Sequence, residues 1–100
     1  MKIVKLIKSP RKNKRLRVYL DDNRYFDFGL DTGETFIDNH DTKKKQNYHK
    51  RHLGNKTEKY LIENLIPSPA LFSWSLLWQT PSLNDNVEIL NKLFENKKSI

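Results

Sequence analysis

One hundred residues, 36% of them hydrophobic and 11% aromatic, suffice for a single domain with one modest core, and make an extended disordered chain a poor description. The absence of cysteine excludes disulfides, thiolate zinc sites and a cysteine nucleophile. A formal net charge of +7 points to a polyanion or an acidic protein surface as partner.

Ile3 to Lys8 reads as a first strand. Ser9-Pro10-Arg11-Lys12-Asn13-Lys14 is a turn, with Pro presetting one dihedral and Asn tolerating positive φ. Arg15 to Leu20 alternates, placing Leu16, Val18 and Leu20 on one face and Arg15, Arg17 and Tyr19 on the other. A second turn, Asp21-Asp22-Asn23, leads to a third strand, Arg24 to Phe28, with Phe26 and Phe28 on the apolar face. Gly29 to Asn39 reads as a loop, or as a short extra strand around Glu34–Ile37. Asp41 is placed to cap a helix over Thr42 to Leu53 that Gly54 stops, and basic residues in its later turns agree with the helix dipole. Lys44, Tyr48 and Arg51 share one face of it.

Thr57 to Leu65 predicts a short helix with Tyr60, Leu61 and Leu65 inward. Ser68 as N-cap with Pro69 at the first helical position opens a helix over Ala70 to Trp78. Its stripe Leu71, Trp74, Leu77 and Trp78 is expected to cover the sheet, although Phe72, Trp74 and Trp78 also suit a protein interface. Ser82 with Asp85 opens a last helix, whose inner face is Leu83, Val87, Leu90 and Phe94 and whose end is closed by Lys97 and Lys98. The predicted fold is therefore α+β: a three-stranded antiparallel meander over about residues 2–28, followed by three or four short helices packed on one face. One domain spans residues 1–96, and residues 97–100 form a frayed tail.

Charge is zoned along the chain. Residues 1–24 hold nine Lys/Arg against two Asp, residues 25–42 hold five Asp/Glu and no Lys/Arg, and residues 43–59 hold seven Lys/Arg against one Glu. Folding is expected to let the acidic zone neutralise part of the basic ones. No run of apolar residues is long enough for a signal peptide or for the ~20 residues of a membrane-spanning helix, which predicts a protein that is soluble and intracellular, or packed inside something made there.

Three chemistries suit these residues. Nucleic-acid binding would use the hairpin residues Lys12, Lys14, Arg15 and Arg17 and the helix residues Lys43, Lys44, Lys45, Lys50 and Arg51, since Lys and Arg neutralise phosphates and interleaved tyrosines stack on bases. A metal site would draw on His40, His49 and His52 with Asp38 and Asp41, but no zinc-finger spacing and no His-Glu-x-x-His motif accompanies them. Nucleophilic catalysis lacks a Gly-x-Ser-x-Gly elbow, and Asp27-Phe28-Gly29 matches a kinase tripeptide by letters only, with no glycine-rich phosphate loop beside it. Gly29, Asp41, Tyr48, Arg51, His52, Trp74 and Trp78 are read as organisers of the fold.

Phe28-Gly29, then Phe36-Ile37-Asp38 with Asp41, then Lys44, Tyr48 and Arg51-His52, then Pro69-Ala70-Leu71-Phe72-Ser73-Trp74 and Leu76-Leu77-Trp78 form a pattern. It resembles an uncharacterised family of small basic proteins encoded by large double-stranded DNA viruses of eukaryotes, the phycodnaviruses and mimivirus relatives. The resemblance covers residues 15–94. It implies a viral origin and a virion or packaging role, and carries no activity over. The resulting expectation is a non-enzymatic minor virion or capsid-associated protein, located in the virion and in host cytoplasm or nucleus during infection. It would dock on other virion proteins or on the genome, and would have no cofactor and no membrane contact. A nucleic-acid-binding protein expressed during infection is the second expectation, and a metal-dependent nuclease using His40, His49 and His52 the third.

Overall fold

A computed structural model of the chain describes residues 1–32 and 34–98; Gly33, the side chain of Lys98, and Ser99 and Ile100 of the expected frayed tail lie outside the described residues. Three strands, β1 (Ile3–Lys8), β2 (Lys14–Leu20) and β3 (Tyr25–Leu30), form an antiparallel sheet in the order β1-β2-β3. The two turns are made by the residues that tolerate them: Asn13 and Asn23 adopt φ 69° and 72°. Leu16 pairs with Phe28 and Val18 with Phe26, so alternation in β2 and β3 builds one apolar face. A register shift between Ile3 and Lys5 does the same for β1. Strict alternation would set Ile3 beside Lys5, whereas the bulge aligns Ile3 with Leu20 and Leu6 with Val18 and leaves Val4 59% exposed.

The outer face of the sheet is polar and internally paired. Asp27, buried, accepts from Ser9 Oγ at 2.6 Å and from Arg17 Nε and Nη2 at 2.9 and 3.1 Å. The Arg17 guanidinium also lies 4.2 Å from the centre of the Tyr25 ring.

Among the described residues five α-helices come after the sheet: α1 (Phe36–Asn39), α2 (Thr42–Leu53), α3 (Lys56–Glu63), α4 (Pro69–Phe72) and α5 (Leu83–Lys98). Between the last two, Ser73–Leu77 winds as a π-helical turn. The α+β architecture is thus the expected one, with four departures in detail. First, the segment read as a loop or extra strand near Glu34–Ile37 contains α1, whose start Asp38 caps by accepting from the Thr35 backbone amide at 2.8 Å. Second, Gly54 does end α2, but in right-handed backbone (φ −74°), and Asn55 caps the next helix by accepting from the Glu58 amide. Third, α3 turns Ile62 inward and leaves Tyr60, expected inside, 60% exposed. Fourth, α5 is helical through Lys98, so the first two residues of the expected tail, Lys97 and Lys98, belong to the helix.

The π turn decides the core. A continuous α-helix from Ala70 would put Leu71, Trp74, Leu77 and Trp78 on one stripe. Widening the turn by one residue rotates the residues beyond it. Leu71, Phe72, Leu76 and Leu77 are then all fully buried against Val18, Leu20, Phe28 and Leu90, while Trp74 and Trp78 stand half-buried to one side. The turn is locked by Asn86, which is wholly buried in α5. Its Nδ2 donates to the carbonyls of Leu76 (2.8 Å) and Thr80 (3.1 Å), and its Oδ1 accepts from the Thr80 amide (3.0 Å) and hydroxyl (2.6 Å). Asn91, further along the same helix, accepts from the backbone amide of Ile3 at 2.8 Å and so ties α5 to the sheet.

Candidate polyanion-binding surface and adjoining cleft

Helix α2 has two faces of opposite character. Asp41 starts it as expected, accepting from the Lys44 amide at 3.1 Å. Lys45, Tyr48, His49 and His52 recur at helical spacing and make the docked face. The Tyr48 ring stacks on Trp78 (4.3 Å between centres, 7° between planes) and lies 4.0 Å from the His52 ring, and its hydroxyl donates to Ser73 Oγ at 3.1 Å. The His49 ring stacks on Trp74 at 3.9 Å. His49 Nε2 lies 3.1 Å from the Trp78 carbonyl, an acceptor only, so that nitrogen carries the proton. Lys45 Nζ donates to the Gln79 carbonyl at 2.6 Å and lies over the Phe36 ring. The two tryptophans expected over the sheet therefore serve to seat α2.

Burial lowers the proton affinity of the His49 ring and raises the pKa of the Tyr48 hydroxyl, because both would have to carry charge away from water. His52 Nδ1 is paired with a Glu58 carboxylate oxygen. His40 is exposed and holds the left-handed position that ends α1. The three histidines are thus separately engaged, and among the described residues no group of three or more His, Asp or Glu side chains could hold a metal ion.

The other face of α2 carries Lys43, Lys44, Lys50 and Arg51, all exposed. Among the described residues no hydrogen bond or ion pair engages these four side chains; Arg51 has a ring contact with Tyr48 at 5.8 Å. Three carboxylates of the acidic zone are committed elsewhere. Asp38 is taken by Arg15, Asp27 by Arg17, and Asp41 by the helix N-terminus. Arg15 and Arg17, expected to meet a polyanion, are instead held in bidentate ion pairs with their own chain. The Arg15 guanidinium holds the Asp38 carboxyl well below the usual carboxylate range, and the hydrogen bonds from Arg17 lower that of Asp27. Lys12 remains exposed at the hairpin tip, and Lys14 is half-buried.

Beside this face lies a cleft of about 650 Å3 between the end of β3, α2 and α4. It is lined by the cations Lys14 and Arg51, by the carboxylates Glu34 and Glu58, by the His52 ring paired with Glu58, and by apolar surface of Leu30, Pro69 and Ala70. Gly29 lines it as well. The residue sits at φ 79°, and a Cβ there would lie 2.9 Å from Leu77 Cδ1 and 3.2 Å from Arg15 Cβ. Five of the residues read as fold organisers, Gly29, Tyr48, Arg51, His52 and Trp78, therefore meet around one cavity, while Trp74 and Asp41 lie outside its lining. Sequence reasoning missed Glu58, Ser73 and Asn86. For Glu58 a signal was present: Asn55-x-x-Glu58 has the spacing of a helix start.

Residues 4–52, the sheet, α1 and nearly all of α2, match the model of a family described as a family of unknown function (DUF5754). No curated protein and no solved structure matches the chain. Among the described residues no helix is long and apolar enough to cross a membrane.

Proposed function

We propose that this chain is a small, non-enzymatic binding protein that docks on nucleic acid through the outer face of α2. One observation carries the reading: Lys43, Lys44, Lys50 and Arg51 present charge with no carboxylate partner among the described residues, although the same chain contains an acidic zone. This face also favours phosphates over an acidic protein. Protein interfaces are depleted in lysine and are anchored by apolar or aromatic side chains, whereas Gln46 and Asn47 are the exposed residues between these cations. A phosphate backbone needs only positive charge at a suitable spacing. The setting follows from the motif resemblance: a minor virion or packaging component of a large eukaryotic DNA virus, or a protein made during infection that binds the genome or its transcripts.

Titration of labelled DNA and RNA at about 50 and 200 mM salt tests the reading. Binding that weakens steeply with salt, and is lost on the double charge reversal Lys43→Glu/Lys50→Glu, supports it. No binding at the lower salt overturns it. So does binding that the double reversal leaves unchanged.

A further inference from the structure

The cleft next to α2 has the size and lining of a ligand site. Its volume of about 650 Å3 falls within the roughly 300–1,000 Å3 of small-molecule clefts. Its apolar surface combines Leu30, Pro69 and Ala70. Ser73 accepts the Tyr48 hydroxyl, so the hydrogen of its own hydroxyl is left to donate, and Glu34 supplies an acceptor. These are the groups that a nucleobase needs: an apolar surface, with a donor and an acceptor for its edge. Arg51 belongs at once to the cleft and to the exposed face of α2, beside Lys50 and about two helical turns from Lys44. A strand lying along α2 would therefore pass the mouth of the cleft.

We propose that the cleft admits one unstacked base of a single-stranded nucleic acid, with the adjoining phosphates on Arg51 and Lys14. Glu34 and Glu58 fix the polarity of the site. Their carboxylates repel phosphate from the interior of the cleft and accept hydrogens from a base edge, and Glu58 is held in place by His52. A base paired in a duplex cannot enter, so the cleft discriminates by strand state. The proposal rests on the reading of α2 as a nucleic-acid surface and deepens it.

The test compares a labelled single strand of about 12 nucleotides with the duplex of equal length by fluorescence anisotropy at one salt concentration. The single strand is expected to bind about tenfold more tightly, the effect of one well-packed base, although the duplex carries more phosphate. Leu30→Glu places a carboxylate on a 67%-exposed residue of the cleft wall, where no core packing is lost, and is expected to remove the preference. Val4→Glu, an equal charge change on the exposed β1 bulge outside the cleft, is expected to weaken both ligands alike. Ala70→Phe, which fills the cleft, is expected to act as Leu30→Glu does, with circular dichroism checking its fold. Equal affinity for the two ligands overturns the base site and leaves α2 as a nucleic-acid surface. A preference that survives Leu30→Glu overturns the base site too. Binding of neither ligand, with capture of poly-glutamate instead, overturns both readings in favour of an acidic protein partner.

Discussion

Arg15 and Asp38 are joined by two hydrogen bonds, 2.6 and 2.7 Å long, from the two terminal guanidinium nitrogens to the two carboxylate oxygens. The pair connects β2 to α1, and Asp38 accepts from the Thr35 amide and hydroxyl besides. One carboxylate thus caps the start of the first helix and neutralises a strand cation 23 residues away.

That arrangement fixes a pH dependence. The Asp38 carboxyl titrates well below its ordinary range, chiefly because Arg15 bonds to its charged form. In the unfolded chain it would titrate at about pH 3.9. Its contribution is therefore complete above that value and is lost as the pH falls towards the depressed folded value. Asp38→Asn is expected to cost about 0.5–1 kcal/mol at about pH 6, a figure reduced for screening at a partly exposed pair. In urea titrations the gap between wild type and variant should narrow as the pH falls from about 4 to about 2. A gap unchanged over that interval would show that the pair is not what Asp38 contributes.

Gly29 should tolerate no side chain. Gly29→Ala combines left-handed backbone with a contact of 2.9 Å to Leu77 Cδ1, and is expected to destabilise the fold by about 1–3 kcal/mol. Thermal denaturation of the variant checks this. Gly54→Ala is the contrast: φ there is −74°, the nearest atom to an added Cβ is a backbone oxygen at 3.3 Å, and the loss should be smaller.

Asn86 should matter more than any other polar residue of α5. Asn86→Leu is close in volume but leaves the Leu76 carbonyl and the Thr80 amide without their partner in a buried site. A loss of about 2–3 kcal/mol is expected, measured by urea denaturation. A variant as stable as wild type would mean that the π turn is held by packing alone.

These residues also mark how far the sequence can be read. Asp41, Ser68-Pro69, Asn13 and Asn23 are legible because their partners lie within three residues: each caps a helix or makes a turn in its own segment. The sheet is legible because alternation in β2 and β3 is strict. The four-residue α1 is not, since its N-terminal capping residue Asp38 is positioned in part by Arg15 from another element. The tryptophan stripe misleads because a regular period does not hold where the helix widens, and that widening rests on Asn86, ten residues from Leu76. The candidate site is legible as a set of cations but not as a division of them. Which carboxylate takes which arginine depends on the folded positions of Asp27 and Asp38, and only then do Lys43, Lys44, Lys50 and Arg51 stand apart from Arg15 and Arg17.

The salt dependence of DNA binding tests that division most directly. If the four α2 cations meet phosphates, log K should fall against log salt with a slope of about −3 to −4 on duplex DNA. The double neutralisation Lys43→Gln/Lys50→Gln should make the slope shallower by about 2, while Arg17→Gln, which removes a cation already paired with Asp27, should leave it unchanged. A slope insensitive to Lys43 and Lys50 but reduced by Arg17→Gln would contradict the account.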